Sequence, residues 1–86
     1  MKKLDVLRQE IDGIDEQMLQ LLKQRLVVVK KIGIWKKQNN EPALDKQRWS
    51  QVLKSRLQLA RRLKIDETLI KKMFGLIHEE ALRIEK

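Results

Sequence analysis

Four cations carry the chemistry that this chain offers: Arg8, Arg25, Lys36 and Arg48. Arg25 stands out among them because it interrupts an apolar seam. In steps of three and four the first third reads Leu4, Leu7, Ile11, Ile14, Met18, Leu21, Arg25, Val28, Ile32 and Trp35, and nine of those ten positions are apolar. Such a repeat marks a long helix packed along one stripe. A guanidinium does not give up its proton, and burying it unpaired is very costly. An arginine in that stripe must therefore face an anion or a water-filled pocket.

Lys36 follows Arg25 by eleven positions. That is close to three helical turns, so both side chains project from nearly one face, about 16 Å apart along the axis. They can lean toward each other and hold a small dianion between them. Arg8 precedes Arg25 by seventeen positions, or about 25 Å of helix. It cannot join the same small site from its own chain, but in an antiparallel dimer it can reach the site of the partner. Arg48 is the natural fourth cation, beside a helix start whose backbone N–H groups near Asp45 to Arg48 are free to donate.

Taken singly, three of these cations also have plain readings. Arg8 can pair with Asp12 on a helix surface, Lys36 can be solvated beside Lys37, and Arg48 can offset Asp45 or Glu41. Arg25 is the exception. His78 has no second metal ligand four positions on and reads as packed or partly exposed. Trp35 and Trp49 read as core, and Arg61–Arg62 and Lys71–Lys72 as solvated faces. The sequence shows no Gly-rich phosphate loop, nucleophile–base pair or metal-ligand cluster; neither a metal nor a cofactor is expected. Several cations without a nucleophile suit a reaction that needs only a confined conformer and stabilised charge.

The elements that must position these groups are all helical. The first helix is expected over 4–37, weakened but not stopped by Gly13 and Gly33. The segment QNNEPALD, Gln38 to Asp45, is the one clear break; it holds two Asn and the sole Pro, and ends on Asp45 as a candidate N-cap. A second helix is expected over 46–63, with Trp49, Val52, Leu53, Leu57 and Ala60 on one face. Asp66 caps a third over 66–85, with Ile65 and Ile70 placed as a hydrophobic staple. Nothing reads as a strand. The fold class is all-α, one domain over 1–86, with one long and two shorter helices per protomer. A first helix of about 33 residues spans roughly 50 Å, whereas a globular domain of this length is about 30 Å across. Two short helices cannot cover that stripe, so a second copy of the chain, related by a two-fold axis, is the expected cover.

Charge is distributed unevenly. Residues 1–22 carry net −2, residues 23–64 net +11 and residues 65–86 net −1, for a total of +8. The basic middle favours an anionic ligand, either a small polyanion or a phosphate backbone. The chain has no cysteine, which excludes disulfides and thiolate metal sites and is compatible with a reducing cytosol, the expected location. The opening MKKLDVLRQEID lacks the apolar core of a signal peptide, and no stretch approaches the length of a membrane span.

Several of these segments resemble the all-helical (AroQ, type II) class of chorismate mutases. LRQEIDGIDEQMLQLLKQR, Leu7 to Arg25, is similar to the family's first-helix pattern L-R-x-x-I-D-x-I-D-x-x-[IL]-x-x-L-[IL]-x-x-R. VVVKKIGIWKKQNNEPALDKQRW is similar to its run V-x-x-I-G-x-x-K, loop, P, then D-x-x-R, and IKKMFGLIHEEALRIE looks like the segment that closes the pocket. The motifs are individually weak, but in order and at matching spacing they cover almost the whole chain.

The resemblance implies an intertwined dimer of three-helix protomers that rearranges chorismate to prephenate in phenylalanine and tyrosine biosynthesis. It implies that Arg25 and Arg48, with Arg8 donated across the dimer, bind the two substrate carboxylates. Lys36 would donate to the ether oxygen of the breaking C–O bond, and Asp45 would place its backbone N–H near the ring hydroxyl. Ile32 and His78 would line the pocket wall. Three positions depart from the family's pattern. Trp49 stands where many members carry a Glu that holds the ring hydroxyl, which moves that contact to Asp45 or Glu79 and leaves Trp49 as wall or core. Ala81 replaces a small hydroxyl residue and removes one carboxylate contact. Glu85 replaces a Gln that donates to the ether oxygen; an ionised Glu only accepts, so it would have to be protonated to help.

An Arg-Trp pair at this point resembles a branch often fused to the synthase that opens the shikimate pathway. A fused or associated shikimate-pathway enzyme domain is therefore one expected partner, beside the homodimer and the dicarboxylate substrate; neither nucleic acid nor membrane is expected. Lys36, Glu85 and Arg25 are the expected catalytic groups. The competing readings are a lyase that removes pyruvate from isochorismate on the same scaffold, a basic nucleic-acid-binding dimer, and a plain dimerisation module.

Overall fold

The computed structural model describes residues 2–86 and contains three helices: α1, Lys2–Gln38; α2, Lys46–Leu63; and α3, Glu67–Glu85. No strand occurs among the described residues. Each boundary has a local cause. At the end of α1, Asn40 adopts the left-handed conformation (φ 57°), and the Glu41 N–H donates back to the Lys36 carbonyl at 2.8 Å. Asn is among the few residues that adopt that conformation readily. Asp45 is the N-cap of α2; its carboxylate accepts from the Arg48 N–H at 2.9 Å. Lys64, also left-handed (φ 58°), closes α2, and Asp66 caps α3 by accepting from the Leu69 N–H at 2.9 Å. The exposed pairs Arg61–Glu67 and Arg83–Glu80 add little, because water screens them.

α3 is the shared element. It packs against α1 on one side and against α2 on the other, while α1 and α2 do not pack directly on each other. The buried apolar residues are few: Val29 from α1, Val52 and Ala60 from α2, and Ile70 and Ala81 from α3. α1 and α3 approach closely at Gly33. A methyl group there would lie 2.9 Å from the Glu85 Cα, so the missing side chain is what lets the end of α3 lie against α1.

The face of α1 that meets α3 differs from the expected seam. Val29 and Gly33 are buried, whereas Val28, Ile32 and Trp35 remain 51%, 43% and 53% exposed. A stripe of 3.5-residue period drifts about 20° per heptad around a straight 3.6-residue helix. By the last third of α1 the Val28 and Trp35 positions of the seam have therefore swung away from α3, while Arg25 and Ile32 still border the cavity beside Val29. Trp35, read as core, is consequently not part of this chain's core. Trp49 is half-buried in the wall of a cavity instead.

The N-terminal half of α1 has no cover within the chain. Leu4, Leu7, Ile11, Ile14, Met18 and Leu21 are all 42% to 63% exposed. The molecule measures 57 × 25 × 15 Å, with a radius of gyration of 16.4 Å, against about 12 Å for a globular domain of this length. A second uncovered apolar surface is a groove bordered by Leu59, Leu63, Ile65, Ile70 and Phe74 at the α2–α3 junction. Ile65 and Ile70, the expected staple, both line it. No described helix is long and apolar enough to cross a membrane.

Gly33→Ala tests the close approach. Alanine is the better helix former by about 1 kcal/mol, but the overpacking it causes costs about 1–3 kcal/mol. Thermal melts should therefore show a lower Tm for the variant; an unchanged or higher Tm would mean that the α1–α3 contact does not depend on this glycine.

Candidate active site

Where α1, the 39–45 loop, α2 and α3 converge lies a cavity of about 210 Å³. Its charged lining is Arg25 and Lys36 from α1, Asp45 and Arg48 from the start of α2, and Glu85 from the end of α3. Val29, Ile32, Val52, Ala81 and Leu82 supply apolar walls, and Trp49 and His78 face it as an aromatic pair. Helix periodicity explains the α1 contribution: Arg25, Val29, Ile32 and Lys36 follow one another at three- and four-residue steps and so share a face.

Lys36 is the best-fixed cation. Its Nζ donates to Glu85 Oε1 at 2.6 Å and to the Ala43 carbonyl at 2.7 Å. The pair is largely withdrawn from water, with side chains 16% and 9% exposed. An ammonium has three N–H donors; two are committed, which leaves one for a ligand in the cavity. The Ala43 contact also ties the loop to α1, so the turn that presents Asp45 and Arg48 is held by the same lysine. Glu85 here is an acceptor. It orients Lys36, and Oε1 is the oxygen that accepts the ammonium's hydrogen bond.

Arg25 is half-buried and has no ion pair among the described residues. Burial, then repulsion from Arg56, then repulsion from Arg48 lower its pKa. Each cause disfavours the charged form that arginine nonetheless keeps. The local field is therefore short of negative charge, the condition that a bound anion relieves. Arg56 is itself braced, with its guanidinium carbon 5.9 Å from the centre of the Phe74 ring.

Ten sequence-predicted site residues divide unequally. Arg25, Ile32, Lys36, Asp45, Arg48, His78, Ala81 and Glu85 all line the one cavity. Arg8 does not; it is exposed on the uncovered half of α1. Glu79, one of the two residues to which the hydroxyl contact was assigned, is exposed and outside the lining. The backbone N–H of Arg48, expected to be free for a ligand, is consumed by the Asp45 cap. The sequence reading missed the Ala43 carbonyl as a Lys36 partner. It also missed the stacking of Trp49 on His78, ring centres 4.1 Å apart and planes 8° from parallel. No cluster of metal-ligating side chains occurs among the described residues.

Fold and cavity together define an all-α domain with a pocket lined by three cations, built at the meeting point of three helices. Comparison with known proteins makes the class specific. The family description of chorismate mutase type II matches residues 7–86, and the chain belongs to that family. It is similar to the bifunctional chorismate mutase/prephenate dehydratase of Buchnera aphidicola subsp. Acyrthosiphon pisum, 31% identical over 94% of this chain and 21% of that protein. The protein of the same description from Buchnera aphidicola subsp. Schizaphis graminum is 33% identical over 92% of this chain and 20% of its own length. The chain thus spans about a fifth of the length of these relatives. No solved structure matches it.

The Lys36–Glu85 pair makes an energetic prediction. Lys36→Ala leaves a buried carboxylate without its cation, which costs about 2–3 kcal/mol. Adding Glu85→Gln to that variant removes the stranded charge and should recover at least half of the loss in a urea melt. A double variant no more stable than Lys36→Ala alone would show that the pair contributes no coupling.

Proposed function

We propose that this domain catalyses the rearrangement of chorismate to prephenate. Family membership supports the reaction, and one structural observation carries it to this cavity: three cations, Arg25, Lys36 and Arg48, converge on it from two helices. Chorismate carries two carboxylates and an ether oxygen, and the rearrangement is unimolecular and pericyclic. It needs no covalent intermediate, only a folded conformer and a place for developing charge.

Arg25 and Arg48 hold the carboxylates and fix the enolpyruvyl arm over the ring. The unrelieved positive field around Arg25 is the driving force for that binding. Negative charge grows on the ether oxygen as the C–O bond breaks, and the remaining N–H of Lys36 meets it. Glu85 aims that ammonium through Oε1.

The domain acts as an intertwined homodimer. The apolar half of α1 and the apolar groove at the α2–α3 junction are the two faces that a second copy would cover. Opposite charge on residues 1–22 and 23–64 favours antiparallel pairing of the long helices. In that arrangement Arg8 of one protomer completes the cation set of the other. The domain works in the cytoplasm, in phenylalanine and tyrosine biosynthesis. A second pathway enzyme, fused or associated, accompanies it, as the two-activity names of its relatives suggest.

Lys36→Ala tests the assignment. Loss of one transition-state donor costs on the order of 10²–10³ in kcat, with KM changing much less; activity within a few-fold of wild type would refute the role.

A further inference from the structure

We propose that His78 is the residue that recognises the ring hydroxyl of the substrate, held for that task by the indole of Trp49. The inference rests on the reading of the cavity as a chorismate site. Carboxylates and ether oxygen have their partners in Arg25, Arg48 and Lys36; the hydroxyl is the polar group left over. Among the other polar side chains of the lining, Lys36 and Glu85 bond each other, and Asp45 Oδ1 caps α2 through the Arg48 N–H; the Trp49 indole N–H belongs to the same stacked pair. The ring nitrogens of His78 have no hydrogen-bond partner among the described residues.

The stack decides how the imidazole can be used. Trp49 covers one face of His78, 4.1 Å away and nearly parallel. Both rings are half-buried and line the cavity. A stacked ring is held against rotation while its edge, where both nitrogens lie, stays open to a partner. A neutral imidazole has one donor and one acceptor, the same complement as a hydroxyl. Trp49 follows directly on Arg48, so the stack also anchors the first turn of α2 to α3. The hydroxyl is thereby read by a group whose position is coupled to the carboxylate-binding arginine. Trp49 is a positioning residue in this arrangement, and His78 is the specificity-determining contact.

The chain has a single histidine, so its imidazole ¹⁵N resonances are unambiguous in the wild-type protein. Titration with prephenate, which keeps both carboxylates and the hydroxyl, should move one ring-nitrogen resonance. Titration with the analogue lacking only the hydroxyl should perturb the cavity backbone and leave that resonance in place. Equal movement with both ligands, or movement with neither, overturns the proposal. In kinetics, His78→Leu should lower kcat/KM for chorismate about tenfold, the value of roughly one hydrogen bond. The 4-deoxy substrate should stay within about twofold of wild type by the same reasoning, and His78→Gln should recover part of the loss. A drop equal for both substrates would assign the stack to packing and overturn the proposal. If wild type converts chorismate but His78 fails these tests, only this inference falls. If wild type neither binds prephenate nor converts chorismate, the reading of the pocket falls and takes this inference with it.

Discussion

A positive charge without a negative partner is the constraint on which the site depends. Arg25 is partly withdrawn from water and sits beside Arg48 and Arg56, which repel it. In an apolar dimerisation module, leucine would fill this position at no electrostatic cost. The protein instead keeps an unfavourable field on one wall of the cavity, where the Glu85 carboxylate is paired with Lys36. A bound anion would relieve that field, and in the proposed reaction Lys36 would then meet the charge that develops on the ether oxygen.

The rest of the fold serves to hold those cations in register. α1 alone places Arg25 and Lys36 on one face, but the cavity exists only because α3 closes it. Closure requires the absence of a side chain at Gly33, where the α3 backbone comes within 2.9 Å of a would-be methyl. The Lys36 ammonium then joins three elements, bonding Glu85 at the end of α3 and the Ala43 carbonyl in the loop. The α2 start is fixed twice more, by the Asp45 cap and by the stacking of Trp49 on His78. Small backbone features thus decide side-chain placement that sequence composition leaves open.

What could be read from the sequence was local. Three helices, their Asp caps and the break between Gln38 and Asp45 follow from periodicity and capping chemistry, and the eleven-residue spacing of Arg25 and Lys36 follows from helix geometry. Interactions between distant residues were not legible in the same way. Lys36 and Glu85 are 49 positions apart, and only the family resemblance brought them together. Gly33 read as a weak point of a helix, although its use is close packing against Glu85. The drift of a 3.5-residue seam around a straight helix misassigned Trp35 to the core, and the Trp49–His78 stack had no sequence signal beyond two isolated aromatic rings. Spacing excludes Arg8 from the site of its own chain, and only the family resemblance implies its use in another chain's site; its exposed position on uncovered helix is compatible with that use.

The most direct measurement is the loss of chorismate absorbance with the purified protein, followed over a series of protein concentrations with prephenate identified as the product. A cation pocket completed by a second chain predicts conversion, with a rate per chain that rises as dilute monomer pairs and then levels off. Chorismate left unchanged at concentrations where the chain is folded would contradict the account, and conversion at a constant rate per chain by a protein that stays monomeric would contradict its shared site.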